Sequence, residues 1–334
     1  MTTQSSSAGS EDSVLVRGGG AAGSPRGEMA LFHGLAGGRR RLLGLGLPLL
    51  FVLVYVYFAV AARDFFSVTN TQDVLRQGSA LGIVAFGQTF AIISGGIDLS
   101  VGSTIGIASV VDALVTKQYG LWAGMVAAVL VGLLAGLVNG FFVARLRVNP
   151  FMVTLGTLSV FEGISLSISG GTYVQGMPKE FSALGFDSLG PIPFAALLAA
   201  GAFVAAWVLL TRTRFGREVY AVGGNREAAR LSGIHLTRVT WTIYIVTGVL
   251  ASVAGILVSS RVSSGQPEIG RGLELQSAAA VVLGGVSLMG GEGSIFGVLF
   301  GVLLVSFLQN GLNLLNVPSF VQYTVLGGAL ILAV

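Results

Sequence analysis

Asp98 is the side chain with the most chemical consequence in this sequence, because it interrupts an otherwise apolar stretch running from 77 to 118. A carboxylate there is costly unless it meets water, a polar partner or a helix N-terminus. With Ser100 and Ser103 it could line a solute path at a broken helix. It could also cap the following helix by accepting from the amides of Ser100 and Val101. The cap is the commoner use, and one residue can serve both. Asp112 and Glu162 are weaker cases, placed near an outer boundary or a helix contact. Glu274 and Glu292 stand at the ends of apolar runs and read as interfacial. Asn139, Asn310 and Asn313 put amides inside apolar runs. Such amides suit sugar hydroxyls, which need paired donors and acceptors. They equally suit hydrogen bonds between neighbouring helices, which is their commoner use in membranes.

Other chemistries lack their residues. There are no cysteines, and the two histidines, His33 and His235, lie in polar flanks. No thiol nucleophile, disulfide or zinc cluster can be assembled, and no metal or cofactor is expected. No His-Glu metal motif, Ser-His-Asp set or Gly-x-x-x-x-Gly-Lys-Ser/Thr phosphate loop is present, so the chain is not expected to be an enzyme or to bind nucleotide itself.

The elements that must position these residues are membrane helices. Of 334 residues, 53% are hydrophobic and only 10% charged, with a mean hydropathy of +0.83. A soluble domain of this size needs far more charge. A spanning helix needs about 20 apolar residues. Long uncharged runs meet that need at 42–62, 77–118 (two helix lengths, broken at Gly95, Gly96 and Asp98), 119–144, 149–169, 188–211, 239–260 and 273–291. Residues 293–334 carry no charge and make two more helices, parted near Asn316, Val317, Pro318 and Ser319. The fold class is therefore all-α, a polytopic integral membrane protein of about ten transmembrane helices in a lipid bilayer. Residues 1–38, rich in Ser, Gly and Ala, read as a disordered cytoplasmic tail ahead of a transmembrane domain at 39–334. The apolar core begins only at Leu42, so no cleavable signal peptide is expected.

Charge supports the same topology. With the N-terminus inside, 13 of the 19 basic residues fall on the inner side, among them Arg39–Arg41, Arg145, Arg147 and six arginines between 212 and 238. The other six, Arg63, Arg76, Lys117, Lys179, Arg261 and Arg271, fall outside. That asymmetry predicts both termini in the cytoplasm. It also explains the net charge of +4 without nucleic acid. In the outer loops 170–187 and 261–272, Lys179, Glu180, Arg261, Glu268 and Arg271 could pair with a partner's charges, although solvated loop charge is commoner.

An internal repeat is visible. Gly95-Gly96-Ile97-Asp98-Leu99 resembles Gly284-Gly285-Val286-Ser287-Leu288, Asn139-Gly140 resembles Asn310-Gly311, and Val148–Phe151 resembles Val317–Phe320. Two related halves and chance matching of glycine-rich sequence account for it equally.

The most informative segment is the basic loop 212–238. Asn225 suits a helix N-cap, Glu227 the first turn, and Gly233 the left-handed residue that ends a helix. Between them the spacing predicts one short amphipathic helix bearing Ala228 and Ala229. Such a capped helix can enter a partner's socket, whereas a merely basic loop is what any inner loop offers.

This loop resembles the cytoplasmic coupling loop of bacterial ABC sugar permeases of the ribose, xylose and galactose type. Three further stretches are similar to the same family: Ile93–Ser103, Ala279–Gly293 and Gln309–Leu315. The four occur in order, from about residue 45 onward. The resemblance implies a binding-protein-dependent importer in the inner membrane. Two permease chains, expected as a homodimer, would form the pore. A cytoplasmic ABC ATPase would dock on the coupling loops, and an extracytoplasmic solute-binding protein would deliver a monosaccharide. On this reading Gly216, Arg217, Gly224, Asn225, Ala228, Ala229 and Gly233 contact the ATPase, and Asp98, Ser100, Ser103, Asn139, Asn310 and Asn313 are candidates for the translocation path. Permeases for branched-chain amino acids or nucleosides share the architecture, and an ion-coupled secondary transporter is the competitor from another class. Unlike relatives that continue to a polar tail, this sequence stops at Val334 within an apolar run.

Overall fold

The computed structural model describes residues 49–333. The expected tail at 1–38 and the Arg39–Arg41 triplet lie outside the described residues. The long helices are α1 (Leu49–Ala61), α2 (Val68–Ile93), α3 (Val101–Tyr119), α4 (Leu121–Gly140) and α5 (Pro150–Ser169). A one-turn helix follows, α6 (Ala183–Phe186), with a two-residue hairpin of β1 (Ser188–Leu189) and β2 (Ile192–Pro193). Then come α7 (Phe194–Arg212), α8 (Arg214–Gly224), α9 (Arg226–Leu231), α10 (Leu236–Val262), α11 (Leu273–Leu283), α12 (Ile295–Leu314) and α13 (Ser319–Ala333). Every predicted apolar run contains one of these helices, and the all-α membrane class holds. Five helices, α4, α5, α7, α10 and α12, meet by themselves the length and apolarity of a span, with α4 counted through a π-helical extension to Arg145.

Differences from the expected boundaries have local causes. The second helix begins at Val68 rather than near 77, because Ser67 accepts the Asn70 amide at 3.1 Å and caps two polar turns onto the apolar ones. The sixth run starts its helix at Phe194, since the hairpin with Pro191 and Pro193 takes up its first residues. The run 273–291 yields only 11 helical residues, because Gly284 ends the helix and Gly285 turns at φ +82°. Within the predicted run 149–169, α5 starts at Pro150 in the first turn behind Asn149, whose side chain accepts from the Phe151 amide.

Small residues set the packing. On α4, Gly124, Ala128, Gly132, Gly136 and Gly140 recur every fourth position and are all buried. A Cβ on Gly132 would strike the Gly248 carbonyl and Ser252 of α10, and one on Gly136 would strike the Tyr244 carbonyl. The two backbones touch, the contact that small residues permit between membrane helices.

The segment after α10, expected as a loop, does not stay at the helix ends. It runs back along α3: Gly265 packs on Val110 and Ala113, the Gln266 amide donates to Ser109 Oγ at 3.0 Å, and Gly270 rests on Ile105 and Gly102. As the segment advances, its α3 partners step from 113 to 102. At a rise of about 1.5 Å per residue that is a descent of roughly 16 Å. The chain thus re-enters before α11 begins, and α11 is a half-length helix.

Candidate functional site

Two helix breaks and one loop meet at a single point. Helix α2 ends at Ile93, and residues 94–100 turn back along it. Gln88 pins that return on both sides: its Nε2 donates to the Asp98 carbonyl at 2.6 Å, and the Asp98 amide donates to its Oε1 at 3.2 Å. Helix α11 breaks at Gly284, and residues 284–294 form the second return. The Gly291 amide donates to the Ile93 carbonyl at 2.8 Å, so the two returns are bonded to each other.

Helix α8 lies against this junction. Its sequence folds locally because Thr213 Oγ1 accepts the Gly216 amide at 3.2 Å, while Val219 and Val222 are buried and Phe215 stacks on Phe90 at 5.8 Å between centroids. Tyr220 donates its hydroxyl to the Gly293 carbonyl at 2.8 Å, and burial pushes this phenol's pKa up. Gly223 is wedged in place: a Cβ there would collide with the Ile93 carbonyl and come within 2.6 Å of the Gly291 nitrogen. Helix α8 therefore contacts both returns directly.

Helix α9 is the short capped helix expected between Asn225 and Gly233. Asn225 Oδ1 accepts the Ala228 amide at 2.9 Å. Gly233 has φ +83°, and the Ile234 amide closes on the Ala229 carbonyl at 3.1 Å. Arg230 closes a salt bridge onto Glu227, and that hydrogen-bonded guanidinium holds the Glu227 carboxyl below its usual range. Both side chains are exposed, so the pair adds little stability.

The expected docking residues separate into two groups. Arg217, Gly224, Asn225, Ala228 and Gly233 are exposed. Gly216 and Ala229 are buried within the chain; a Cβ on Gly216 would strike the Leu209 and Leu210 carbonyls, so it shapes the α7–α8 corner. Two apolar side chains near the same surface escaped sequence reasoning: Leu231, 74% exposed at the end of α9, and Met289, 90% exposed in the second return. Apolar exposure beside this loop is a signal only once the fold is known.

The expected path residues are mostly spent on one another. Asp98 accepts from the Ser100 amide at 2.9 Å and from Ser100 Oγ at 2.6 Å, a local turn just ahead of α3; no bond to the Val101 amide forms, and α3 carries no side-chain cap, unlike the expectation. Asn139 Nδ2 donates to Ser100 Oγ at 2.7 Å, and Thr157 Oγ1 donates to Asn139 Oδ1 at 2.8 Å. This buried string ties the first return to α4 and α5. Asn310 and Asn70 exchange amide bonds at 2.7 and 3.1 Å. Asn313 accepts from Gln322 at 2.8 Å. Ser103 donates to the Ser100 carbonyl at 2.9 Å and also lines a small cleft with Glu162, Glu268, Arg271 and Glu274. The weaker carboxylates are partnered too: Ser259 Oγ donates to Asp112 at 3.1 Å, and Arg271 bridges Glu162 at 2.5 Å and Glu268 at 3.1 Å. Among the described residues, no group of His, Cys, Asp and Glu could hold a metal ion.

Comparison with known proteins gives this geometry a family. The sequence profile described as branched-chain amino acid transport system / permease component matches residues 70–334. The ribose import permease protein of Bacillus subtilis (strain 168) is 41% identical over 294 residues, 85% of this chain and 89% of that protein. The ribose import permease protein of Escherichia coli (strain K12) is 39% identical over 290 residues, 85% of this chain and 90% of the relative. The L-arabinose ABC transporter permease protein of Azospirillum brasilense is 38% identical over 290 residues, 86% of each chain. No solved structure matches. With membrane helices broken at two bonded returns, and with a match across most of its length, this chain belongs to the family of branched-chain amino acid transport system / permease components.

Proposed function

We propose that this chain is the membrane subunit of an ATP-driven, binding-protein-dependent importer that carries a monosaccharide across the cytoplasmic membrane. The observation that carries the reading is the seat of α8 on both helix returns. A separate cytosolic ATPase grips α8, α9 and the second return at Arg217, Gly224, Asn225, Ala228, Leu231 and Met289. Its closure shifts α8, and Gly223 passes the movement to the returns at Ile93 and Gly291. Differential contact free energy between the open and closed ATPase is what such a shift requires. The arginine-rich side is cytosolic, as is the N-terminus, and a second copy of the chain completes the pore. A solute-binding protein docks on the opposite side.

The solute class rests on the ribose and arabinose named for the relatives. The test is uptake into proteoliposomes holding the permease with its cognate ATPase and binding protein. ATP-dependent uptake of labelled ribose or arabinose, but not leucine, is expected. Uptake driven by a proton or sodium gradient without ATP would overturn the reading. Since the chain has no cysteine, single cysteines at Arg226 or Ser232 report sidedness, and labelling by an impermeant reagent from outside intact cells would also overturn it.

A further inference from the structure

Outside the helix returns, the chain forms a half-open polar chamber that no expected path residue lines, with Gln77 exposed and Gln276, Gln309 and Arg261 partly buried along it. It lies between α2, α10, the start of α11 and α12, with a volume of about 210 Å³. Its polar lining comprises Gln77, Gln276, Gln309, Ser306, Arg261 and Arg271. Space on this scale holds several waters or one small solute.

The bonding state of these groups sets the chamber apart. Gln72, Gln88, Gln266 and Gln322 each donate a side-chain hydrogen bond within the protein. Among the described residues, Gln77, Gln276, Gln309 and Arg261 have no side-chain hydrogen-bond partner, though four different elements bring them to one space. An amide offers two donors and two acceptor lone pairs, and a guanidinium offers five donors. Membrane helices ordinarily pair such groups with a neighbour, as Asn70 and Asn310 do. Groups held apart around a cavity are free for a guest.

The charge pattern selects the guest. Arg271 is committed to Glu162 and Glu268, and no carboxylate lines the chamber. An amino acid's ammonium would find no counter-charge there. Three amides, the Ser306 oxygen and one uncommitted guanidinium match a ring of vicinal hydroxyls, each both donor and acceptor. Arg261 stands one residue before the end of α10 and Gln309 five before the end of α12, while α8 packs at the other end of α2, so the chamber lies toward the side opposite α8 and a solute released there would meet it early.

We propose that this chamber is a transit site for an uncharged polyhydroxylated solute, held by Gln77, Gln276, Gln309 and Arg261. The proposal rests on the sugar-importer reading above and adds a binding site to it. In the reconstituted importer with labelled ribose, Gln276→Leu combined with Gln309→Leu is expected to lower uptake about ten-fold, as when a site loses paired hydrogen bonds, while ATP hydrolysis stimulated by the binding protein persists. Unchanged uptake would overturn the chamber while leaving the importer intact. Wild-type protein carrying neither ribose nor arabinose would overturn the importer reading itself. A second arm covers a misfolded leucine variant. Gln309→Cys in this cysteine-free chain should react with a small hydrophilic methanethiosulfonate, block uptake on reaction, and react more slowly in saturating ribose. A thiol that never reacts, or reacts without loss of uptake, would overturn the proposal.

Discussion

Gly291 donates its amide to the carbonyl of Ile93 at 2.8 Å, and Gly223 sits against both with no room for a methyl group. A Cβ on Gly224, one residue on, would meet nothing within 4 Å. The adjacent glycines therefore separate packing from exposure. Gly223→Ala is expected to push α8 off the junction at a cost of about 1–3 kcal/mol, as overpacking does. Transport should fall well before membrane insertion does. Gly224→Ala should leave insertion and thermal stability unchanged, so any loss of ATPase binding there reports surface contact alone. Equal behaviour of the two variants in transport and in thermal melting would contradict the seat described for α8.

Asn225 is the sole side-chain cap of α9. Asn225→Ala should cost about 1 kcal/mol of local helix stability, and Asn225→Asp or Asn225→Ser should restore most of it. The measurement is affinity for the purified ATPase in detergent. An alanine variant that binds as tightly as wild type would separate the cap from docking.

The exchange between Asn70 and Asn310 joins the start of α2 to the end of α12. Replacing Asn310 alone with Leu leaves the Asn70 side chain with only the Phe65 carbonyl, to which its Nδ2 donates at 2.9 Å. The single variant should lose stability, and the double Leu variant should recover part of that loss. Couplings between membrane side chains average about 0.6 kcal/mol, with a ceiling near 1.7. Unfolding in mixed micelles gives the cycle, and strict additivity would show the pair to be energetically silent.

Asp98 accepts from both donors of Ser100 through the same oxygen, Oδ1. Asp98→Asn keeps a carbonyl oxygen in that position and should insert and transport at a reduced rate. Asp98→Ala removes the acceptor from a buried site and should cost about 1–3 kcal/mol, enough to lower the folded yield. If alanine and asparagine lose transport equally at equal folded yield, the carboxylate charge itself is needed and the hydrogen bonds to Ser100 alone are insufficient.

These outcomes bear on what the sequence could and could not disclose. The local hydrogen bonding of Asp98 was readable because a carboxylate in an apolar run has few tolerable fates, although it falls on Ser100 ahead of α3 and not on the helix's own amides. Helix α9 was readable because Asn225 and Gly233 bracket it with opposite cap chemistries. Helix α8 was not, since its arginines and glycines look like any inner loop, and only the burial of Val219 and Val222 against α2 and α10 makes them a helix face. The re-entrant course of 263–272 was hidden for a similar reason. Its Ser, Gly and Gln residues read as an outer loop, and the groove that takes it in is made by Gly102 and Gly106 more than 150 positions earlier. The glutamine chamber lay further out of reach, because convergence of Gln77, Gln276 and Gln309 is a property of the assembled helices and no spacing encodes it. The Gly-Gly segments of the internal repeat do not meet: Gly95 lies beside Gly290, whereas Gly284 packs against α12 at Gly297 and Val298.

The abutting backbones of α4 and α10 carry a mechanical consequence. With Gly132 and Gly248 already in contact, neither helix can slide past the other without parting the pair. The two behave as a single beam, and the moving parts of a transport cycle must be sought on either side of it. Spin labels on α4 and α10 should keep one separation from the nucleotide-free to the ATP-bound state, while labels on α8 and the second return change theirs.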